Sequence, residues 1–235
     1  MSTTVLSNQK TPFARGLLAG SSIAIGYLPA ALTFGLLAKS TGLTFLETMA
    51  MSLFVYAGAA QYMALNLIAI GTGAFEIIFT TFIVNIRHLL MSASVRERID
   101  DDHPIIKALY SFGITDEVFA VTTTQEGHVK TGFIIGVSTV AYISWVINSG
   151  IGYFVGTILP PTLQQSMGIA LYAMFIALLM PSIKKHRKVV FLAVSAALFN
   201  SIFSLFLPSG WSIIIATLLS SAGIELIYRN GGDNT

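Results

Sequence analysis

Cysteine is absent from this chain of 235 residues, and charge is scarce, with only 10% of positions Asp, Glu, Lys or Arg. The first absence excludes disulfide frameworks, thiolate metal sites and cysteine nucleophiles. The second excludes an ordinary water-facing surface, because a soluble domain carries about a quarter charged residues. A net charge of +2 is too small to argue for nucleic acid as a partner. There is no G-x-x-x-x-G-K-[ST] phosphate loop and no G-x-S-x-G elbow. The four histidines, His88, His103, His128 and His186, are scattered without metal-ligand spacing. The sequence therefore carries no cofactor or metal signature and gives enzyme chemistry no support.

What the chain does contain is apolar length. Apolar residues make up 54% of it and the mean hydropathy is +0.76. No Asp, Glu, Lys, Arg or His falls within 16–38, 48–75, 131–183 or 189–224. A helix crossing the hydrocarbon core needs roughly 20 apolar residues, so the first two runs hold one span each and the last two hold two each. The reading is an all-α, polytopic bundle in a lipid bilayer, without a cleavable signal peptide. Spans are expected near 16–38, 47–70, 74–95, 131–155, 166–183, 189–207 and 211–228. Residues 1–15 and 229–235 are short tails. The long runs divide at Leu159-Pro160-Pro161-Thr162 and Leu207-Pro208-Ser209-Gly210, and Trp211 stands where an interfacial anchor belongs.

Segment 108–124 resists this scheme because Asp116 and Glu117 lie at its middle. Each acid costs about 2.5–3.5 kcal/mol at a bilayer centre. The segment is a packed span, a re-entrant helix or an interfacial one. The basic cluster at 184–188 places that loop, and with it the C-terminus, in the cytoplasm. If 108–124 does not cross, seven spans put the N-terminus outside; if it crosses, eight spans put it inside. Seven is the favoured count, although Lys10 and Arg15 argue the other way.

Ionisable and polar groups inside spans need a partner or water, which makes them the informative positions. Asn85, Arg87 and His88 form the densest group, with Asn85 and His88 on one helical face and Arg87 about 100° per residue off it. An arginine here holds a carboxylate bidentately or snorkels to headgroups. Asp116 and Glu117 point roughly 100° apart, so one is free to pair with Arg87 while the other faces a cavity. Glu76 and Glu47 read as stabilisers of helix N-termini, and Asn66 and Asn200 as interhelical hydrogen bonders.

Backbone breaks are the second signal. Gly26-Tyr27-Leu28-Pro29 sits inside the first span and Tyr56-Ala57-Gly58-Ala59-Ala60-Gln61 inside the second. Proline removes a helix hydrogen bond, and non-helical backbone at membrane depth is tolerated only within protein or along a wet cavity. In transporters such breaks form substrate sites, although small residues also serve simple close packing. Asn148-Ser149-Gly150-Ile151-Gly152 and Met180-Pro181 are weaker counterparts.

These motifs, in order, carry a resemblance. Gly26-Tyr27-Leu28-Pro29 with Phe34-Gly35, Tyr56 to Gln61, Asn85-Ile86-Arg87-His88-Leu89-Leu90, and Thr115-Asp116-Glu117 with Phe119-Ala120 make the chain similar to the AzlC-type large subunits of bacterial branched-chain amino acid exporters. Ala177 to Pro181 adds less weight, and Ile86 stands where the pattern more often has Leu. The resemblance implies a multi-pass permease of the bacterial cytoplasmic membrane that exports branched-chain or similar apolar amino acids. It also implies a small hydrophobic second subunit of the AzlD type and coupling to an ion, H+ being expected. The candidate substrate or coupling residues are Gly26, Tyr27, Pro29, Tyr56, Gly58, Gln61, Asn85, Arg87, His88, Asp116 and Glu117. The rival is a non-transporting membrane scaffold, in which those polar groups merely satisfy one another.

Overall fold

The computed structural model describes residues 10–100, 102–155 and 187–230, together with isolated positions between 158 and 184. Among the described residues it is helical, with one isolated backbone bridge, Ile99 to Val129. Helix α1 is Pro12–Ser40, α2 is Phe45–Ala50 continued by a wider π turn over Met51–Val55, and α3 is Gly58–Ala69. Then follow α4 (Ala74–Arg96), α5 (Pro104–Gly113), α6 (Asp116–Thr123), α7 (Thr131–Val155), α8 (Arg187–Phe203) and α9 (Ser209–Asn230). Four described helices are long and apolar enough to cross a membrane: α1, α4, α7 and most of α9.

The core is the α1–α7 pair, and its sequence cause is small residues. A Cβ on Gly35 would collide with the Ser149 carbonyl, and one on Gly152 with the Leu32 carbonyl. Gly16 and Gly136 make the same close approach at the other end, and Ser144 Oγ donates to the Ala24 carbonyl midway at 2.8 Å. Backbones this close gain dispersion along their whole length, which is how helices associate without a hydrophobic drive in lipid. The pairings 16 with 136, 24 with 144 and 35 with 149–152 rise together, so α1 and α7 run parallel.

Two parallel helices demand an odd number of crossings between them, and α4 supplies one. The interrupted segments double back instead. Segment α2 starts beside the end of α7, where Tyr153 Oη donates to the Leu43 carbonyl, and descends until Tyr142 Oη reaches the Leu53 carbonyl. After the break, α3 climbs again: Gln61 returns to Ser52 (3.4 Å), and Tyr62 Oη reaches Ala30 further up α1 (2.7 Å). Segment α5 rises beside α7 from the Asp102–Thr131 hydrogen bond to the Gly113–Ser138 contact. Then α6 descends beside α4, from Arg87–Asp116 to Arg98, whose guanidinium caps the Thr123 and Gln125 carbonyls at 3.0 Å each. Two hairpins thus enter from opposite ends of the bundle and bring their breaks to its middle.

This arrangement replaces two expectations. Residues 47–70 do not form a crossing span, and 108–124, with α5 before it, is the re-entrant alternative. The seven-span and eight-span paths both take 47–70 across, and among the described residues four helices are long and apolar enough to cross, so the count of seven is not confirmed. The break expected at Gly26 to Pro29 is also absent, since α1 runs through it. Thr33 Oγ1 donates to the Pro29 carbonyl at 2.8 Å within this stretch. Likewise α7 is unbroken across 148–152, where the small residues serve packing. Most of the expected span at 166–183, with Pro181 and the cluster residues Lys185 and His186, lies outside the described residues.

The last hairpin, α8–α9, is antiparallel, joined by Lys188–Glu225 (2.5 Å) and by Ser212 Oγ donating to Asn200 Oδ1 (3.1 Å). It docks on α4 where Glu76 accepts the Gly210 N–H at 3.1 Å, an N-terminal cap given to another helix. Glu47 forms a capping box with Thr44 at the start of α2.

Candidate functional site

The hairpin apices meet around a single cleft lined by Tyr27, Tyr56, Ala57, Gly58, Ala59, Arg87, His88, Thr115, Asp116, Glu117 and Trp145. It encloses about 350 Å³ including its open mouth. Its clear interior is the size of about one water, so a larger solute enters only when the walls part.

The first apex is made by a residue in an unusual conformation. Tyr56 has φ 43° and ψ 45°, the left-handed region that disfavours a residue with a Cβ, and the π turn leads into it. Such a conformation costs about 1–3 kcal/mol and persists only where packing over-determines it. Here the Tyr56 ring packs edge-on against Tyr142 (4.9 Å) and against Phe112 (5.9 Å). With Ala57 as N-cap, α3 begins without any side-chain cap. Its first N–H groups and the positive end of its dipole therefore face the cleft.

The second apex is held by α4 and α1. His88 Nδ1 donates to the Ile114 carbonyl at 2.9 Å, closing the backbone group that the break releases. The donated proton on Nδ1 leaves the buried His88 Nε2 without a protein partner. The next residue, Thr115, caps α6 through the Val118 N–H. Arg87 Nη1 lies 2.9 Å from Asp116 Oδ2, while the buried Arg87 Nε has no partner. Tyr27 Oη lies 2.5 Å from Glu117 Oε2 and 2.7 Å from Thr115 Oγ1. A phenol has one hydrogen, so it donates to the carboxylate and accepts from the threonine.

The cleft is two-sided. One wall, from α1, α3 and α7, is aromatic and small: Tyr27, Ala57, Gly58, Ala59 and Trp145. The other, from α4 and α6, is polar: Arg87, His88, Thr115, Asp116 and Glu117. Cation, carboxylates, a free imidazole nitrogen and a helix N-terminus converge on one small volume.

Of the sequence candidates, Tyr27, Tyr56, Gly58, Arg87, His88, Asp116 and Glu117 come together here. Four do not line the cleft. Gly26 is on the outer surface of α1, with open space where a Cβ would stand, and Pro29 lies beyond Tyr27 on the same helix. Asn85 is one turn from His88 with a buried Oδ1 that has no partner. Gln61 is wholly buried behind the wall, accepting the Trp145 indole N–H at 3.0 Å. The adjacent acids divide as their helical angle requires, Asp116 to Arg87 and Glu117 to Tyr27. Trp145 escaped the sequence reading because α7 is apolar throughout. A tryptophan at mid-span instead of at an interface was the available signal. Among the described residues no group of three or more His, Asp or Glu is placed to hold a metal ion.

The profile of a known family, described as AzlC protein, matches residues 22–159 and so covers every cleft residue. The chain is 32% identical over 223 residues to the Inner membrane protein YgaZ of Escherichia coli, spanning 92% of this chain and 90% of that protein. It is 31% identical over 208 residues to an uncharacterized membrane protein of Archaeoglobus fulgidus, covering 88% and 91% of the two chains. To the Branched-chain amino acid transport protein AzlC of Bacillus subtilis it is 26% identical over 208 residues, covering 87% and 80%. No solved structure matches the chain.

Proposed function

The chain belongs to the AzlC family, and from that premise we propose that it is the large subunit of a secondary transporter exporting branched-chain or similar apolar amino acids. The cleft at the two hairpin apices is the observation that carries this reading. An amino acid is a zwitterion with an apolar side chain, so its site needs three features. The α3 N-terminus and Arg87 suit the carboxylate. Glu117 suits the ammonium or the coupling proton, and the Tyr27–Trp145 wall suits the side chain. The Bacillus subtilis relative, a branched-chain amino acid transport protein by name, supports the substrate class. The working protein includes a small hydrophobic second subunit and sits in the cytoplasmic membrane of a bacterium.

The hairpins supply a route for alternating access. The one formed by α2 and α3 separates the cleft from one end of the bundle, and the one formed by α5 and α6 separates it from the other. Broken helices around a midplane site are the usual way transporter backbones bind and gate. Charge gives the orientation. Among the described residues Lys10, Arg15, Arg96, Arg98, Lys107, Lys130, Arg187 and Lys188 belong to the end where α1 and α7 start, and Lys39 belongs to the other. By the positive-inside rule that first end is cytoplasmic, with both termini on it.

The test is efflux from a host lacking its own branched-chain exporters, loaded with hydrophobic dipeptides. The chain is expressed alone and with the small subunit. Efflux of leucine, isoleucine, valine or methionine is expected with both chains present. No amino acid moving under either condition sinks the reading.

A further inference from the structure

We infer that Trp145, clamped by Gln61, is the size gauge of the cleft: it sets how large an aliphatic side chain the apolar wall accepts. The inference rests on the transport reading and deepens it. Trp145 is 1% exposed yet lines the cleft, and its ring packs against Tyr27, Phe34, Gly58 and Gln61. Its indole N–H donates to Gln61 Oε1 at 3.0 Å, and the Gln61 amide nitrogen stands 3.4 Å from Ser52 Oγ. Tyr27 meets the ring edge-on at 5.2 Å and Phe34 stacks on it at 6.3 Å. On the cleft side, a Cβ added at Gly58 would stand 2.9 Å from Trp145 Cη2. A ring this constrained does not retreat when the opposite wall parts to admit a solute, so its face is a fixed boundary on one side of the site.

Gly58 completes the gauge. It opens α3 and lies against the indole edge, so any side chain there would press on Trp145. An apolar pocket discriminates by volume, about 10- to 200-fold for one methylene. Bulk added at Gly58 or removed at Trp145 therefore shifts selectivity in opposite directions. Gln61 touches no ligand in this scheme and is a positioning residue. Its loss frees the ring and flattens the ranking of substrates without removing the site.

The experiment measures the efflux ratio of phenylalanine to leucine and of leucine to alanine, with the small subunit present and membrane abundance recorded. Ratios are independent of how much protein reaches the membrane. Trp145→Leu is expected to raise the phenylalanine-to-leucine ratio roughly tenfold, and Gly58→Ala to lower the leucine-to-alanine ratio by a similar factor. Gln61→Leu is expected to bring both ratios toward unity. Should Trp145→Leu fail to fold, Trp145→Phe and Gly58→Ala still move the ratios in opposite senses. A second readout uses the fact that the chain has only two tryptophans. In Trp211→Phe protein, leucine is expected to change the Trp145 emission in a saturable way. If wild type exports leucine but all variants keep its ratios, or leucine leaves the emission unchanged, the size gauge is overturned and transport stands. If wild type exports no amino acid, both fall together.

Discussion

Arg87 and Asp116 join the one crossing helix between α1 and α7 to the apex of a hairpin, their side chains meeting at 2.9 Å. The very next residue, His88, holds the Ile114 carbonyl of the same break. Consecutive residues of α4 thus fix both the backbone and the charge of the second apex.

Breaking this pair is expected to separate transport from folding. The two side chains are 36% and 25% exposed, so the pair contributes no more than about 1 kcal/mol to stability. Asp116→Asn and Arg87→Ala are each expected to lower efflux tenfold or more at near-normal membrane abundance. Arg87→Lys keeps the charge but loses the planar fork, and a partial loss is expected. Full efflux from all three variants would show that the pair only satisfies itself.

Glu117 carries a different prediction. It faces the cleft and accepts a hydrogen bond from the Tyr27 hydroxyl, and the proposed function gives it the ammonium or the coupling proton. Glu117→Gln is expected to make efflux insensitive to external pH over a range where wild type responds. Tyr27→Phe removes two hydrogen bonds, those to Glu117 and Thr115, worth about 1 kcal/mol each, and is expected to slow efflux a few-fold while leaving its pH profile in place. A retained pH response in Glu117→Gln would move the coupling role elsewhere.

The membrane character was legible because charge spacing reports it directly, and so was the break at Tyr56 to Gly58, where small residues interrupt an apolar run. The direction of the chain after each break was not. A hairpin and a crossing use the same composition, and only pairings such as Ser52 with Gln61 separate them. Pro29 misled in the other direction, since α1 runs through it without a break. The division of labour between Asp116 and Glu117 followed from helical geometry. The place of Gln61, behind the cleft wall and bonded to the Trp145 indole, was not legible because no local pattern marked Trp145.

The α1–α7 approach predicts steep intolerance to volume. Gly152→Val and Gly16→Val each place a side chain against a facing carbonyl, and overpacking costs about 1–3 kcal/mol or more. Both are expected to lower the melting temperature in detergent sharply or to abolish accumulation. Gly26→Ala meets open space on the same helix and is expected to be neutral. Equal tolerance at all three positions would contradict the close parallel pair.

Acid is expected to loosen the contact between the α4–α5 connection and the α6–α7 connection. The Asp100 carboxyl is held below its ordinary value, first by the hydrogen bond from Lys130 (3.2 Å) and further by His128 (3.1 Å). A depressed carboxylate contributes stability that is present above its unfolded pKa of about 3.9 and lost as pH falls through the folded value. Asp100 is exposed, so the effect is small. Proteolysis of these connections at pH 7 and pH 3 is expected to rise in acid for wild type and less so for Asp100→Asn. Identical acid responses would remove the pair from the account.

The path of the chain is the most direct claim to check, because the protein has no cysteine to interfere. Single cysteines at Gly42 and Gly71 flank the first hairpin, and at Glu97 and Gly127 they flank the second. If each hairpin doubles back, the members of a pair label from the same side, and the two pairs label from opposite sides. A membrane-impermeant maleimide added to intact cells is then expected to modify 42 and 71 and to reach 97 and 127 only after the membrane is opened. A crossing through 47–70 would instead split the first pair, with 42 and 71 reacting from different sides. That result would restore the longer span count and remove the two-apex cleft on which the transport reading depends.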